Sequence, residues 1–132
     1  MAHRSIVSRG GPQPTSKYPH AHIHGDMVWV TAQAGRDPVS GETVEGGMAG
    51  QLDRAISNLE AILGECGSSL DQVVRTQVMY VYPDDVEAMD GAYSRRFHAP
   101  LPVRTSLGVK FLAPEPGAEV VRVQIDCVAQ VG

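Results

Sequence analysis

The clearest periodic element of the sequence is a run of apolar residues that recurs at helical spacing in the first half of the chain. These residues fall on one face of a helix, with polar residues on the other side. Gly64 and Gly67 bracket its predicted end. The apolar face comprises Leu52, Ala55, Ile56, Leu59, Ile62 and Leu63. Because such a stripe must be covered, the neighbouring segments have to supply an apolar surface.

Segments with period-two or β-branched patterns supply that surface. We predict strands over 5–8, 27–33, 73–82, 103–109 and 119 to about 129. Asp84 and Asp85 offer an N-cap and favourable charge for a second helix. The inner face of that helix holds Val86, Met89, Tyr93 and Phe97. This order of elements predicts an α+β fold, in which a mixed β-sheet carries two helices packed on one face.

Size and charge exclude several classes of function. A chain of 132 residues fits a single domain over residues 1–132. Its net charge of −4, and 11 Lys and Arg residues without a basic run, argue against a nucleic-acid partner. No apolar run is long enough for a membrane span, and the first residues do not resemble a signal peptide. We therefore expect a cytoplasmic protein without a membrane or nucleic-acid partner.

Two cysteines and three histidines need separate interpretation. Cys66 and Cys127 are too few for a disulfide framework and are expected to pack in the core. His20, His22 and His24 alternate on an extended segment. Residues at this spacing lie about 6.6–7 Å apart and rarely converge on one ion, so no metal site is predicted. The imidazoles fit a polar loop face, a cluster on a symmetry axis, or a pH-dependent cleft entrance.

Arg104 is the residue that bears most on function. It enters an apolar strand just after Pro100 and Pro102. A guanidinium in that position needs an internal acid, solvent or an anionic ligand as its partner. The internal alternative is an ion pair with Asp126 or Glu119.

The last predicted strand has one mixed face. Val120, Arg122, Gln124, Asp126 and Val128 alternate with an apolar set. Such a face is either exposed to water or part of a subunit interface with polar clefts.

Taken in order, several segments resemble the Rid family, also called the YjgF or endoribonuclease L-PSP family. The resemblance implies a chorismate-mutase-like fold and a homotrimer with clefts between neighbouring subunits. The matching segments are 25–33, Gln51 with the helix up to residue 71, 73–78, Tyr93 with Phe97, 102–106 and 123–129.

The resemblance also implies an activity. The best-known branch of the family hydrolyses small 2-imino and enamine acids to a 2-oxo acid and ammonia, without a cofactor or metal. Arg104 falls on the residue that holds the substrate carboxylate, and Tyr18 on a tyrosine that lines the cleft. Backbone around Ser106 would contact the amino or imino group, with Thr105 beside it. A small carboxylate is therefore the expected partner.

The last strand departs from the deaminase branch. Gln124 and Asp126 stand where that branch has two glutamates. A neutral amide cannot act as a general base, although its carbonyl oxygen can orient a water molecule. Asp126 lies on the same face and would serve a shifted site.

Two functional hypotheses follow. The first is a hydrolytic deaminase with Arg104 and Gln124 as catalytic residues. The second is a non-catalytic trimer that binds a small carboxylate metabolite or modulates a partner enzyme. RNA cleavage, which one family name suggests, is disfavoured by the acidic balance of the chain.

Overall fold

The structure, a computed structural model, describes residues 3–14 and 16–132. Within these ranges six strands and two α-helices are found. The strands are β1 (His3–Ile6), β2 (Ala21–His24), β3 (Met27–Ala34), β4 (Val73–Tyr80), β5 (Val103–Gly108) and β6 (Val123–Gln130). The helices are α1 (Gly47–Glu65) and α2 (Val86–Arg96), and short 3-10 turns cover Leu70–Gln72 and Pro83–Asp85.

All the strands belong to one sheet in the order β1-β2-β3-β6-β4-β5. β4 and β5 run parallel, whereas the other neighbouring pairs are antiparallel. The predicted mixed sheet is therefore confirmed. β5 is the last strand in this order, so within the described residues its outer side pairs with no other strand.

The helices cover one face of the sheet. In β6, Val123, Ile125, Cys127 and Ala129 are buried and alternate with partly exposed residues. The predicted stripe of α1 is completely buried, and the inner residues Met89, Tyr93 and Phe97 of the α2 segment are almost so. Burying a Leu or Ile side chain contributes about 1.5–3 kcal/mol, so this layer supplies most of the hydrophobic stabilisation. The predicted α+β architecture is confirmed.

Helix α1 ends as the glycine pattern predicts. Gly67 has a φ of +77°, in the left-handed region that glycine adopts without strain. The Ser68 N–H donates to the Leu63 carbonyl at 2.9 Å, and the Gly67 N–H donates to the Gly64 carbonyl at 3.3 Å. These are the two bonds of a Schellman motif, which satisfies carbonyl groups at the helix end.

Three strand boundaries were wrong, and one strand was missed. β4 ends at Tyr80 rather than residue 82. β1 ends at Ile6 rather than continuing to Ser8, because the Ser8 N–H donates to the His20 ring at 2.8 Å. β6 begins at Val123 instead of residue 119, since the Gln51 side chain bonds the backbone of Val120 and Arg122, each at 2.8 Å. The four-residue strand β2 was not predicted as a separate strand.

The predicted N-cap position of α2 is confirmed, but the expected side-chain bond is absent. Asp85 occupies the N-cap position, but its side chain makes no capping hydrogen bond. Its carboxylate accepts a hydrogen bond from Arg122 at 3.0 Å instead. A charged partner from another segment therefore replaces the local bond that the sequence suggested.

Candidate functional site

Arg104 lies on the helix-covered face of the sheet, next to α2. Its Nη2 donates to Asp90 Oδ1 at 2.8 Å, and its guanidinium lies 4.7 Å from the centre of the Tyr93 ring. A guanidinium over an aromatic face gains electrostatic stabilisation from the ring. Asp90 and Tyr93 are one helical turn apart, so α2 holds this arginine from two sides.

Arg104 does have an internal acid as its partner, but neither Asp126 nor Glu119, the two acids named as the alternative, is that partner. Asp126 lies 4.0 Å from Arg75 and not beside Arg104. The strand register explains why Asp126 is not the partner. Arg104 pairs with Thr76, and Thr76 pairs with the buried residue Cys127, so all three lie on the helix-covered face. Asp126 is displaced by one residue and so points to the opposite face. The sequence analysis did not identify Asp90 as the partner because Asp90 lies on α2 and Arg104 on β5. Its position one helical turn before Tyr93 was the one feature that could have indicated it.

The Tyr93 ring is itself fixed by the core. Its hydroxyl hydrogen-bonds to the Thr76 hydroxyl at 2.8 Å, and its ring stacks on Phe97 with centroids 4.5 Å apart. Burial raises the pKa of Tyr93, and the Thr76 hydrogen bond and the charge of Arg104 oppose that rise. The phenol is therefore neutral at pH 7 and acts as a rigid support for the guanidinium.

A pocket of about 420 Å³ opens beside the guanidinium. Its wall is largely apolar, and Arg104 contributes its fixed charge. The principal lining residues are Tyr93, Phe97, His98, Leu101, Pro102 and Arg104. An apolar pocket with one cationic fork suits a small ligand that carries a carboxylate. His98 lies on the short segment after Phe97.

The neighbours of Arg104 on β5 divide between the faces of the sheet. Ser106 pairs with Val78 and lies on the same face as Arg104, whereas Thr105 pairs with Gln77 and lies on the other. Every residue of β5 is exposed. The predicted contacts of Thr105 and Ser106 with a ligand remain predictions.

Gln124 lies on the face that the helices leave open. It pairs with Met79 of β4, which pairs with Leu107 of β5. Two strand spacings and three residues therefore separate Gln124 from Arg104, about 14 Å between Cα atoms. The two predicted catalytic residues are not brought together within one chain.

Asp126 shares the open face with Gln124. Gln77 donates to its carboxylate at 3.3 Å, and Arg75 lies 4.0 Å away. Burial raises the pKa of Asp126, and the nearby Arg75 and the Gln77 hydrogen bond partly oppose that effect. A carboxylate with a raised pKa is a stronger base than an ordinary aspartate.

Tyr18 lies at the other end of the sheet. It precedes β2, which stands four strand spacings, or about 19 Å, from β5. Its side chain is 42% exposed. A cleft containing both Tyr18 and Arg104 thus needs residues from two chains.

The open face has the mixed character expected of an interface. Trp29, Val103 and Leu107 are exposed at 47%, 68% and 41% of their surface. Trp29 pairs with Val128, and Val103 with Arg75, on this same face. Large exposed apolar side chains interspersed with polar ones are typical of protein–protein contacts.

His20 is structural. Its Nδ1 accepts a hydrogen bond from the Ser8 N–H at 2.8 Å, and its Nε2 donates to the Pro12 carbonyl at 2.6 Å. Both ring nitrogens are therefore engaged. Among residues 3–14 and 16–132, no group of three or more potential ligands could hold a metal ion. His22 lies 3.5 Å from the Ser5 hydroxyl.

The cysteines are poor nucleophiles. Cys66 and Cys127 are 4% and 1% exposed, as the sequence predicted. Burial raises the pKa of both thiols, that of Cys127 to about 12. The reactive thiolate is therefore scarce at pH 7.

A larger hollow, of about 540 Å³, lies between the 37–45 and 117–119 segments. Carboxylates of Asp37, Glu42, Glu45 and Glu119 surround it. Like charges repel, so this hollow does not suit an anionic ligand. Within the described ranges, no helix is long and apolar enough to cross a membrane.

Comparisons with known proteins agree with the geometry. The sequence profile of the endoribonuclease L-PSP family matches residues 9–131. A RutC family protein of Pyrococcus abyssi is 35% identical, over 85% of this chain and 88% of its own. A 2-iminobutanoate/2-iminopropanoate deaminase of Rattus norvegicus is 30% identical, over 98% of this chain and 91% of its own.

A solved structure extends the likeness to three dimensions. The crystal structure of a putative endoribonuclease from Thermotoga maritima has a TM-score of 0.88 and 30% identity. That match covers 100% of this chain and 99% of the other. The fold and the sequence match over nearly the whole chain together define the protein family. The chain belongs to the Rid family, also called the YjgF or endoribonuclease L-PSP family.

Proposed function

We propose that this protein is a hydrolytic deaminase of small 2-imino and enamine acids. An enamine acid first takes a proton from water at its terminal carbon and so becomes the iminium acid. Water then adds to the iminium carbon, a proton moves from oxygen to nitrogen in the tetrahedral adduct, and ammonia leaves as the 2-oxo acid forms. An iminium carbon is already electrophilic, so the protein mainly has to hold the carboxylate and place one water. Several relatives at 28–30% identity bear the name 2-iminobutanoate/2-iminopropanoate deaminase.

The placement of Arg104 is the observation that carries the proposal. Its charge stands at the mouth of a mostly apolar pocket, and Tyr93 holds it from beneath. The side chain of Arg104 is 29% exposed, so a ligand can reach it. A guanidinium fork binds a carboxylate through two parallel hydrogen bonds, which fixes both position and orientation.

The site requires more than one subunit in this proposal. Arg104 and Gln124 occupy opposite faces of the sheet, and Tyr18 lies near its opposite edge. A heterologous interface that closes into a ring sets one surface of each subunit against a different surface of its neighbour. We propose a homotrimer in which Arg104 of one subunit faces Tyr18 and Gln124 of the next.

Gln124 orients the attacking water through its side-chain carbonyl. Its neighbour Asp126, two residues along the same face, accepts a proton from that water. The raised pKa of Asp126 favours this role. No metal or cofactor takes part in the proposed reaction.

A coupled assay tests the proposal. A pyridoxal-phosphate dehydratase generates 2-aminoacrylate from serine, and the rate of pyruvate formation is followed with and without the protein. We expect acceleration, and a loss of about 100-fold in kcat/KM for Arg104→Ala, since two charge-assisted hydrogen bonds disappear.

Arg95→Ala is the matched control. Arg95 lies on α2, is exposed, and has no hydrogen bond or ion pair to a described residue. The Arg95→Ala substitution removes one positive charge, as Arg104→Ala does, but Arg95 does not line the pocket. Equal rates for wild type and Arg104→Ala, with the assembly intact, would contradict the proposal.

The second candidate is a non-catalytic protein that binds a small carboxylate on the same scaffold. The neutral amide of Gln124 favours it, because an amide supplies no base. Binding of a 2-oxo acid that depends on Arg104, without acceleration of any imine hydrolysis, would support this candidate over the first.

A further inference from the structure

Asp90 contacts the arginine on which the proposed function depends. Its Oδ1 accepts from Arg104 Nη2 at 2.8 Å, and half of the Asp90 side chain is exposed. Exposed ion pairs of this kind contribute little to stability. The pair therefore matters most for what the site binds.

We propose that Asp90 determines the specificity of the Arg104 site. Its carboxylate selects ligands that combine a carboxylate with a cationic nitrogen, namely 2-iminium and 2-ammonium acids. It disfavours acids without such a nitrogen, namely 2-oxo and 2-hydroxy acids. This inference rests on the proposed function, because it concerns the same site.

A ligand carboxylate still finds a complete fork beside Asp90. Nη2 carries two hydrogens, and its bond to Asp90 uses one of them. The other hydrogen, together with that of Nε or Nη1, forms a two-pronged donor. Nε and Nη1 of Arg104 make no hydrogen bond to any described residue. Asp90 therefore leaves the arginine able to bind an anion.

The charge of Asp90 changes which anion binds well. For a ligand that has a carboxylate but no cationic nitrogen, the charge of Arg104 is largely balanced by that of Asp90. In a 2-iminium acid the nitrogen is attached to the carbon next to the carboxylate, so it lies close to the bound fork. Arg104 repels that nitrogen, and Asp90 attracts it. Asp90 does not itself line the pocket but is bonded to the arginine that does. Its attraction therefore acts through partly solvated space, and we expect it to amount to about fivefold in affinity.

The same charge bears on turnover. Hydrolysis replaces the cationic nitrogen by a neutral oxygen, so the 2-oxo acid product loses its attraction to Asp90. The product then binds more weakly than the substrate. Asp90 thus favours release of product and limits inhibition by it.

A matched pair of stable ligands tests the inference. L-Alanine and L-lactate have the same shape, but the first carries an ammonium group where the second has a hydroxyl. We would measure both affinities by NMR titration of the intact protein, which is suited to millimolar binding. The wild type is expected to bind alanine more tightly than lactate.

Asp90→Asn removes the charge and keeps a side-chain oxygen that can accept from Arg104. The ratio of the alanine to the lactate affinity should fall about fivefold in this variant. Asp53→Asn is the control, because Asp53 accepts from Arg96 at 2.8 Å on the helix surface. It removes an equivalent charge and ion pair, and should leave the ratio unchanged.

Several results would overturn the inference: an unchanged ratio in Asp90→Asn, tighter binding of lactate than of alanine by the wild type, or no binding of either. The proposed function fails separately. If the ratio shifts as expected but no imine is hydrolysed, the specificity stands and the deaminase proposal falls. If imines are hydrolysed and the ratio stays constant, the specificity alone falls.

Discussion

Arg104 and Gln124 project from opposite faces of the same β-sheet. Arg104 pairs in register with Thr76 on the helix-covered face, whereas Gln124 pairs with Met79 on the open face. A single subunit cannot place both side chains on one small ligand. If both residues serve one reaction, the site has to lie between subunits, with the open face of one sheet turned toward the β5 edge of another.

Gln124→Glu should raise the rate of imine hydrolysis. A carboxylate at this position can accept a proton from the attacking water, which an amide cannot. We expect kcat to increase about tenfold, at the lower end of what general bases contribute. The coupled assay measures it, and Gln130→Glu, an exposed residue on the same face of β6 and remote from Asp126, is the control. An unchanged or reduced kcat would contradict this prediction and leave Asp126 as the sole proton acceptor.

Tyr93→Phe should destabilise the protein with little effect on substrate binding. The substitution leaves the buried Thr76 hydroxyl without its partner, at a cost of about 1–2 kcal/mol. The ring itself remains beneath Arg104, so KM should change less than about twofold. Urea unfolding measures the loss of stability.

Tyr82→Phe is the control for that experiment. Arg122 lies 5.1 Å from the Tyr82 ring, in a similar stacking arrangement, but the Tyr82 hydroxyl bonds no described residue. Its removal should leave the free energy of unfolding unchanged. Equal stabilities for Tyr93→Phe and Tyr82→Phe would show that the bond to Thr76 contributes nothing.

Glu65→Gln should weaken the attachment of the N-terminal segment to α1. The Glu65 carboxylate accepts hydrogen bonds from the Ser8 hydroxyl and from the N–H groups of Arg9 and Gly10. The Ser8 and Arg9 bonds, in that order, lower the pKa of Glu65 below its usual value of 4.5. The segment that they hold leads to Tyr18.

The pH dependence follows from the sign of that shift. A carboxyl group with a lowered pKa in the folded state stabilises the fold above its unfolded pKa, and the gain disappears as pH falls through the folded value. Wild type should therefore be more stable than Glu65→Gln at pH 7, and the difference should shrink as pH falls below the usual pKa of 4.5 and through the lowered folded pKa. Urea midpoints at fixed protein concentration measure it. Glu60→Gln, an exposed charge paired with Arg96, is the control.

Much of the fold follows from local patterns in the sequence. The stripe of α1, the alternation along β6 and the glycine at the end of α1 each depend on neighbouring residues, and all three predictions are confirmed. The short strand β2 was missed because four residues carry little periodic signal. The start of β6 was placed too early because it depends on the Gln51 side chain, which is distant in sequence.

The site was harder to predict than the fold. Arg104 stood out as an unusual charge in an apolar strand, but its partner depends on which face it occupies. That face is set by the register of β5 against β4, which local patterns do not reveal. Asp90 looked like an ordinary polar residue of a helix. Its proximity to Arg104 arises only when α2 packs beside β5.

Complementation between two inactive variants tests the account most directly. Arg104→Ala and Gln124→Ala are each expected to be inactive in the coupled assay. Over all trimers formed by co-expression at equal amounts, mixed and unmixed together, one site in four combines an intact Arg104 with an intact Gln124 from the neighbouring chain. We expect about a quarter of wild-type activity from this mixture. Activity no greater than that of the separate variants, in assemblies shown to be mixed, would contradict a site shared between subunits.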